Sequence, residues 1–417
     1  MATRHVAVWT AAGMMAAAAA WGGDCRYQTY VTGERIGAMG GAGVALGRGV
    51  DACRYNPAGL SEAERASVSL TANLYGIQKR ETKGGLLAGD DARSDEFVTI
   101  PSLVGGVNRL SDNWVAGFSI VEPEKTTTAE LTRKRSGRLY SYRLDDQSIW
   151  AGPSLAWGSG EGWSVGVSAF GIYRSQAISV MMAQTGDNGD GFMIGEGVDA
   201  KSLEALAELG VRWRGAGGWR VGASAQSASV HLYDSAKYGV GVGTGDTIWS
   251  VFSKDVEMEN RQPWQVAVGV GFEKEKDWAV GVDATWRARQ SFESTRETDE
   301  DGAPASTWLT RRSTVDVNAG GEYYLFGTYP IRAGFYTGFS SVADVMKAGE
   351  SATEDIDAYG VTFGVGRETE QSSVAIGVNY VWGKGHEQGS GEGMFEDVKT
   401  RARMKEIYFT LATSYYF

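Results

Sequence analysis

Trp278-Ala279-Val280-Gly281-Val282-Asp283-Ala284-Thr285-Trp286 alternates without interruption. Trp278, Val280, Val282, Ala284 and Trp286 share one face; Ala279, Gly281, Asp283 and Thr285 share the other. Successive side chains of a β-strand point to opposite sides of its sheet. The stretch is therefore a strand with one apolar face, bounded at each end by tryptophan, and one small, polar face. Eight steps of about 3.3 Å, tilted about 45°, rise roughly 19 Å. That approximates the height between the two aromatic girdles of a membrane barrel.

The same phrase recurs along the chain. Asn113-Trp114-Val115-Ala116-Gly117-Phe118, Gly162-Trp163-Ser164-Val165-Gly166-Val167 and Gly218-Trp219-Arg220-Val221-Gly222-Ala223 each set a tryptophan just past a tight turn, as Asp277-Trp278 does. Four tryptophans in register describe a belt at one membrane surface. The alternation marks about fourteen strands, an even number as bacterial barrels require. Their predicted spans are 66–77, 97–108, 113–122, 146–157, 162–175, 201–214, 217–230, 263–273, 277–287, 312–324, 329–339, 358–367, 372–384 and 404–417. Connections then alternate between tight turns and long loops, the long ones being 78–96, 123–145, 176–200, 231–262, 288–311, 340–357 and 385–403. With both termini periplasmic, every long loop is extracellular. In the last strand Ile407, Phe409, Leu411, Tyr415 and Phe417 share a face. A terminal Phe417 after aromatic alternation resembles the signal read by the barrel-assembly machinery. The fold class is all-β: an antiparallel transmembrane β-barrel.

Composition agrees. The 417 residues include 58 Gly and only 7 Pro, with 11% aromatics and 22% charged residues. One apolar stretch, Val6 to about Gly23, follows Arg4 and is rich in alanine. It reads as a signal peptide over 1–23, the rival being a retained anchor helix. No other run of 18 apolar residues exists, so the mature chain crosses a membrane with strands if it crosses one. The net charge of −11 argues against nucleic acid. It is compatible with outer-membrane lipid and with lipopolysaccharide bridged by divalent cations. Cys25 and Cys53 both precede the first strand. A disulfide between them competes with lipidation of Cys25, for which Asp24 fits poorly. His5, His231 and His386 with two Cys build no convincing zinc site, and no Gly-x-Ser-x-Gly elbow occurs. The expectation is a protein without metal, cofactor or enzymatic activity.

Residues 24–65 differ from the barrel. They include Ile36-Gly37-Ala38-Met39-Gly40-Gly41-Ala42-Gly43-Val44-Ala45 and then Tyr55-Asn56-Pro57-Ala58-Gly59-Leu60. No βαβ unit surrounds these glycines, so a dinucleotide loop is rejected. Small residues suit a compact segment filling a lumen, with Asn56-Pro57-Ala58-Gly59 turning the chain toward the first strand. These residues resemble the plug of the FadL/TodX-like family of outer-membrane transporters for long-chain fatty acids and aromatic hydrocarbons. The resemblance continues through Ile100-Pro101-Ser102-Leu103, Tyr329-Pro330-Ile331-Arg332-Ala333-Gly334-Phe335-Tyr336 and Gly360-Val361-Thr362-Phe363-Gly364-Val365-Gly366.

The resemblance implies a signal peptide (1–23), a plug (24–65) and a fourteen-stranded barrel (66–417), sitting as a monomer in a Gram-negative outer membrane. It implies passive passage of a hydrophobic small molecule: capture at extracellular loops, transfer to a site above the plug, and exit sideways through the wall. The loops equivalent by order, 176–200 and 231–262, offer Met181, Met182, Phe192 and Met193, then Trp249 and Phe252, as ligand-binding candidates. Lys237, Lys254, Arg261 and Arg220 are candidate partners for a ligand carboxylate. The alternatives are a non-transporting scaffold for secretion or assembly, and a general porin.

Overall fold

The computed structural model describes residues 26–86, 90–133, 138–185, 191–244, 247–298, 304–342, 354–390 and 397–417. The signal-peptide segment and Cys25 lie outside them. Fourteen antiparallel strands form a closed wall. β1 (Ser67–Leu86), β2 (Asp90–Arg109), β3 (Trp114–Arg133), β4 (Arg138–Gly158), β5 (Trp163–Thr185) and β6 (Gly191–Arg214) follow one another. The next four strands come in two pieces each. β7 is Trp219–Gln226 then Val230–Thr244; β8 is Thr247–Met258 then Gln265–Lys274. β9 is Trp278–Arg287 then Gln290–Thr298; β10 is Pro304–Arg311 then Thr314–Leu325. β11 (Tyr329–Gly338), β12 (Glu354–Glu368), β13 (Ser372–Ser390) and β14 (Asp397–Tyr416) complete the circuit. β14 pairs back to β1 from Ser67↔Tyr416 onward, which closes the barrel at its seam.

The alternation that defines Trp278–Trp286 holds in three dimensions. Trp278, Val280, Val282 and Trp286 are exposed on the outside, while Ala279 and Asp283 are buried within. The recurrent tryptophans gather outside the tight-turn end: Trp163 lies 6.3 Å from Trp213 between ring centroids, and Phe272 stacks on Trp278 at 4.9 Å. Trp219 meets Phe272 edge-on at 5.4 Å. Phe409, Leu411, Tyr415 and Phe417 all face outward on the final strand.

The expected long loops are corrected. Most of 78–96, 123–145, 176–200, 231–262, 288–311 and 385–403 is strand, continuing the wall beyond the apolar band. Many outward residues there are polar, as at Asp199 and Lys237, although Met193, Tyr233 and Trp308 are exposed too, so the hydropathy signal weakens while the ladder goes on. Inward residues hold these extensions together. Leu144, Ile178, Val180, Met182, Ile194, Val198, Tyr238 and Met258 form one buried apolar cluster inside the far end.

Between Arg26 and β1 the chain stays inside the wall. It forms α1 (Arg35–Ala38), α2 (Val50–Tyr55) and a 3₁₀ turn over Pro57–Glu62, with Ile36, Met39, Leu46, Ala52 and Leu60 almost wholly buried.

Candidate functional site

The plug is seated by its sequence motif. The Asn56 Oδ1 accepts from the Ala58 N–H at 3.1 Å, capping the 3₁₀ turn that Pro57 begins. Its Nδ2 donates to the Val44 carbonyl at 2.9 Å and to Val211 of β6 at 3.1 Å. One amide thus ties two parts of the plug to the wall. The wall accommodates it with glycine: a β-carbon at Gly166 would collide with Pro57, and one at Gly210 with the Asn56 side chain. At Gly59 itself a β-carbon would strike the Gly47 carbonyl. Ala58 is buried completely.

Charge fastens the tight-turn side of the plug. Arg35 donates to Glu322 of β10 at 2.9 Å, to Glu273 of β8 at 2.8 Å and to the Leu46 carbonyl at 2.8 Å. Glu273 also takes Arg48 at 3.2 Å and Arg220 at 2.8 Å. Arg220 and Arg212 share the plug residue Glu62, Arg212 at 3.0 Å. Burial alone would push the Glu62 carboxyl up, but the Arg212 and Arg220 guanidiniums outweigh it and hold it below the usual range. Arg332 pairs with Glu322 at 2.6 Å. Asp51 accepts the Ile36 and Arg35 backbone N–H groups at 2.9 and 3.2 Å, so it caps α1 from within the plug. Burial pushes its carboxyl up to about 6, against the pull of those N–H groups.

Above the plug lies the lumen. Tyr27, Arg54, Glu124, Trp150, Gln265 and Arg287 surround a cavity of about 10 Å³, about one water's worth of space. Arg54 lies over the Trp150 ring at 5.0 Å. Three cations of the lumen are already in ion pairs: Arg174 with Asp146 at 2.5 Å, Arg287 with Asp316 at 2.5 Å, and Arg80 with Glu354 at 2.6 Å.

The wall is unzipped at one place. The β2–β3 ladder runs from Arg109↔Val115 to Leu103↔Val121 and ends there. Beyond it β2 continues on β1, and β3 continues on β4 after a register shift between Val121 and Glu124. Pro123 sits in that shift, and proline donates no ladder bond. From inside, the plug's first residues occupy the gap: the Tyr30 hydroxyl donates to the Glu122 carbonyl at 2.6 Å, and the Thr29 hydroxyl to the Pro123 carbonyl at 3.2 Å.

The residues singled out from sequence divide. Met182 is buried in the apolar far-end cluster and Phe192 packs against it, with Met182 paired to Ile194 across β5 and β6. Met193 projects outward, and Met181, neighbouring Met182, points to the face opposite that buried side chain. Trp249 and Phe252 belong to β8; Phe252 pairs with Val240, and both side chains lie outside the described residues. Of the candidate carboxylate partners, Arg220 is committed to the plug network and Arg261 pairs with Glu259 at 2.5 Å. Lys237 faces the exterior. Cys53 is buried near Leu60 and Gly117, and burial pushes its thiol up to about 11. Phe417 donates its N–H to the Ala66 carbonyl at 2.9 Å, stitching the barrel seam.

Sequence reasoning missed Arg35, Arg48, Glu62, Glu273 and Glu322, which join plug to wall through partners far away along the chain, as with Glu62 and Arg220, 158 positions apart. It also missed Tyr30 and the glutamates of β6. Glu196, Glu204 and Glu208 are separated by even numbers and so share a face of the strand Gly191–Arg214; the predicted span 201–214 leaves Glu196 outside it.

A profile for the family described as outer membrane protein transport protein (OMPP1/FadL/TodX) matches residues 13–417. Among solved structures, a FadL homologue of Pseudomonas aeruginosa superposes with a TM-score of 0.68 at 14% identity, covering 94% of this chain and 100% of that one. The P. putida toluene transporter TodX gives 0.68 at 15% identity, over 93% and 98%. The Ralstonia pickettii toluene transporter TbuX gives 0.63 at 16% identity, over 93% and 98%. At such identities the likeness establishes a common fold. No curated protein matches the chain.

Proposed function

This chain belongs to the FadL/TodX family of outer-membrane transport proteins, and from that premise we propose that it admits hydrophobic small molecules by passive diffusion. Long-chain fatty acids and aromatic hydrocarbons are the two classes to consider. The observation that carries the reading is the unzipped β2–β3 wall above a sealed plug. A ligand that reaches the lumen meets a plug latched by buried ion pairs below it and a wall lacking ladder bonds beside it. Sideways exit into lipid is then the path of least resistance, and it suits a molecule that prefers lipid to water.

Capture begins at the far end, where Met182 and Phe192 belong to an inward apolar surface. Methionine adapts its shape to irregular ligands. In this reading the protein is a channel rather than an enzyme, and it works as a monomer among lipid and lipopolysaccharide. Residues 1–23 act as the signal peptide, 24–65 as the plug and 66–417 as the barrel. The assembly machinery recognises the strand ending at Phe417. Trp249 and Phe252 join the capture surface.

The test is binding by the purified, delipidated barrel across a panel of fatty acids and aromatic hydrocarbons. Saturable binding is expected, weakened roughly tenfold by Met182→Ser with Phe192→Ser. Met193→Ser, on the opposite face, should leave it within about twofold. A folded, heat-modifiable barrel that binds nothing on the panel sinks the transport reading and promotes a scaffold role.

A further inference from the structure

The inner face of β6 carries glutamates from end to end. Glu196, Glu204 and Glu208 all point inward and are almost completely buried. At about 3.3 Å per residue they stand roughly 26 Å and 13 Å apart along the strand. Glu196 lies in the apolar far end, paired with Val180 on one side and Val240 on the other. Glu208 lies just above the plug. One row of the wall runs from Val121 through Trp150 and Ile172 to Glu204, so Glu122, beside the unzipped wall, sits at the same height as Glu204. Glutamates therefore stand at three heights of the barrel's inner face, with Glu122 beside the unzipped wall and level with Glu204.

None of these carboxylates is in an ion pair. Among the described residues no ion pair and no hydrogen bond of good geometry reaches either oxygen of Glu122, Glu196 or Glu208, or Oε1 of Glu204, although Gln147 and Lys125 stand near Glu122, Ser224 near Glu208 and Asn260 near Glu204. Oε2 of Glu204 accepts from the Ser229 hydroxyl at 2.6 Å. The lumen's arginines do not fill the need, since Arg80, Arg174 and Arg287 are held by other carboxylates. The cation acting on Glu208 is Arg54 of the plug, which lies over Trp150 and makes no ion pair with it. A carboxylate stripped of water and left unpaired is among the costliest groups a protein can bury. An ammonium head group brings a full charge and three donors, which would remove that cost at each station. A carboxylate ligand would add repulsion at each.

We propose that the conduit selects by charge, preferring amphiphiles with an ammonium head and an apolar tail, accepting uncharged ones, and disfavouring carboxylate anions. This rests on the transport reading and names its substrate class. The test uses one skeleton with three head groups: 4-butylbenzylamine, 4-butylbenzyl alcohol and 4-butylbenzoate, titrated calorimetrically into the full-length mature barrel at neutral pH. The amine is expected to bind about tenfold tighter than the alcohol, and the benzoate about tenfold weaker or worse. Glu204→Gln with Glu208→Gln should bring the amine down to the alcohol and leave the alcohol unchanged. Heat-modifiable migration checks that the variant is folded; if it is not, the wild-type order alone decides. Benzoate binding as tightly as the amine overturns the proposal. So does an amine preference that survives both substitutions, or equal binding of amine and alcohol, which would mean that protons already neutralise the glutamates. If the alcohol binds but the order is wrong, only the charge preference fails. If none of the three binds, the transport reading fails with it.

Discussion

At Asp51 a single carboxyl trades two costs. Its Oδ2 takes the N–H groups that open α1, and no other described side chain supplies that cap. Burial nevertheless raises its pKa from 3.8 to about 6. A folded-state value above the unfolded one means that the folded plug binds the proton more tightly. The stability this contributes is fully present below about pH 4 and is lost as pH rises through about 6. The swing amounts to about 3 kcal/mol. Amide protection over Gly33–Ala38, corrected for intrinsic exchange, should therefore fall between pH 4 and pH 7. In Asp51→Asn, where the amide oxygen still accepts from Ile36, protection should stay flat over the same interval. A wild-type profile equally flat would show that Asp51 is ionised without penalty.

At the scale of the element, β3 decides where the wall opens. Its lower part is laddered on both sides, its upper part only to β4, and Pro123 marks the change. The segment before α1 substitutes for the missing neighbour, with Tyr30 bonded to the Glu122 carbonyl and its ring 5.7 Å from that of Tyr408. Tyr30→Phe keeps the ring and removes the bond, a loss of about 1 kcal/mol. That shifts a closed-to-open balance about fivefold. Uptake of a hydrophobic probe into cells or liposomes should accelerate by up to that factor, with the melting temperature nearly unchanged. Slower uptake, or none, would mean that the segment guides the ligand instead of covering the gap.

For the whole molecule, plug and barrel are one unit because their charges are shared. Glu273 of the wall holds Arg35 and Arg48 of the plug together with Arg220 of the wall. Removing one partner of a buried cluster costs about 3–5 kcal/mol, since the others are left unpaired. Glu273→Gln should lower the unfolding temperature of the plug and produce intermittent ion-conducting openings in planar bilayers, where the wild type stays closed. A variant as stable and as closed as the wild type would place the plug's hold in its packing around Asn56 and the wall glycines.

Much of this was legible in the chain itself. Period-two alternation sets which face of Trp278–Trp286 meets lipid, because a pleated strand leaves a side chain only two directions, and the turn spacing sets the number of strands. The small residues around Asn56-Pro57-Ala58-Gly59 mark a segment that must touch other backbone closely. What the sequence could not determine depends on distance along it. The strands run on past the apolar band because their inward residues pack on partners from other strands, and outward polarity hides that continuity. The Arg35–Glu322 pair spans 287 positions, and a single chain carries no local trace of such a pairing. The unzipped wall is likewise a property of two neighbours that fail to meet. That the glutamates of β6 are buried without an ion pair became recognisable only once the barrel closed around their side chains.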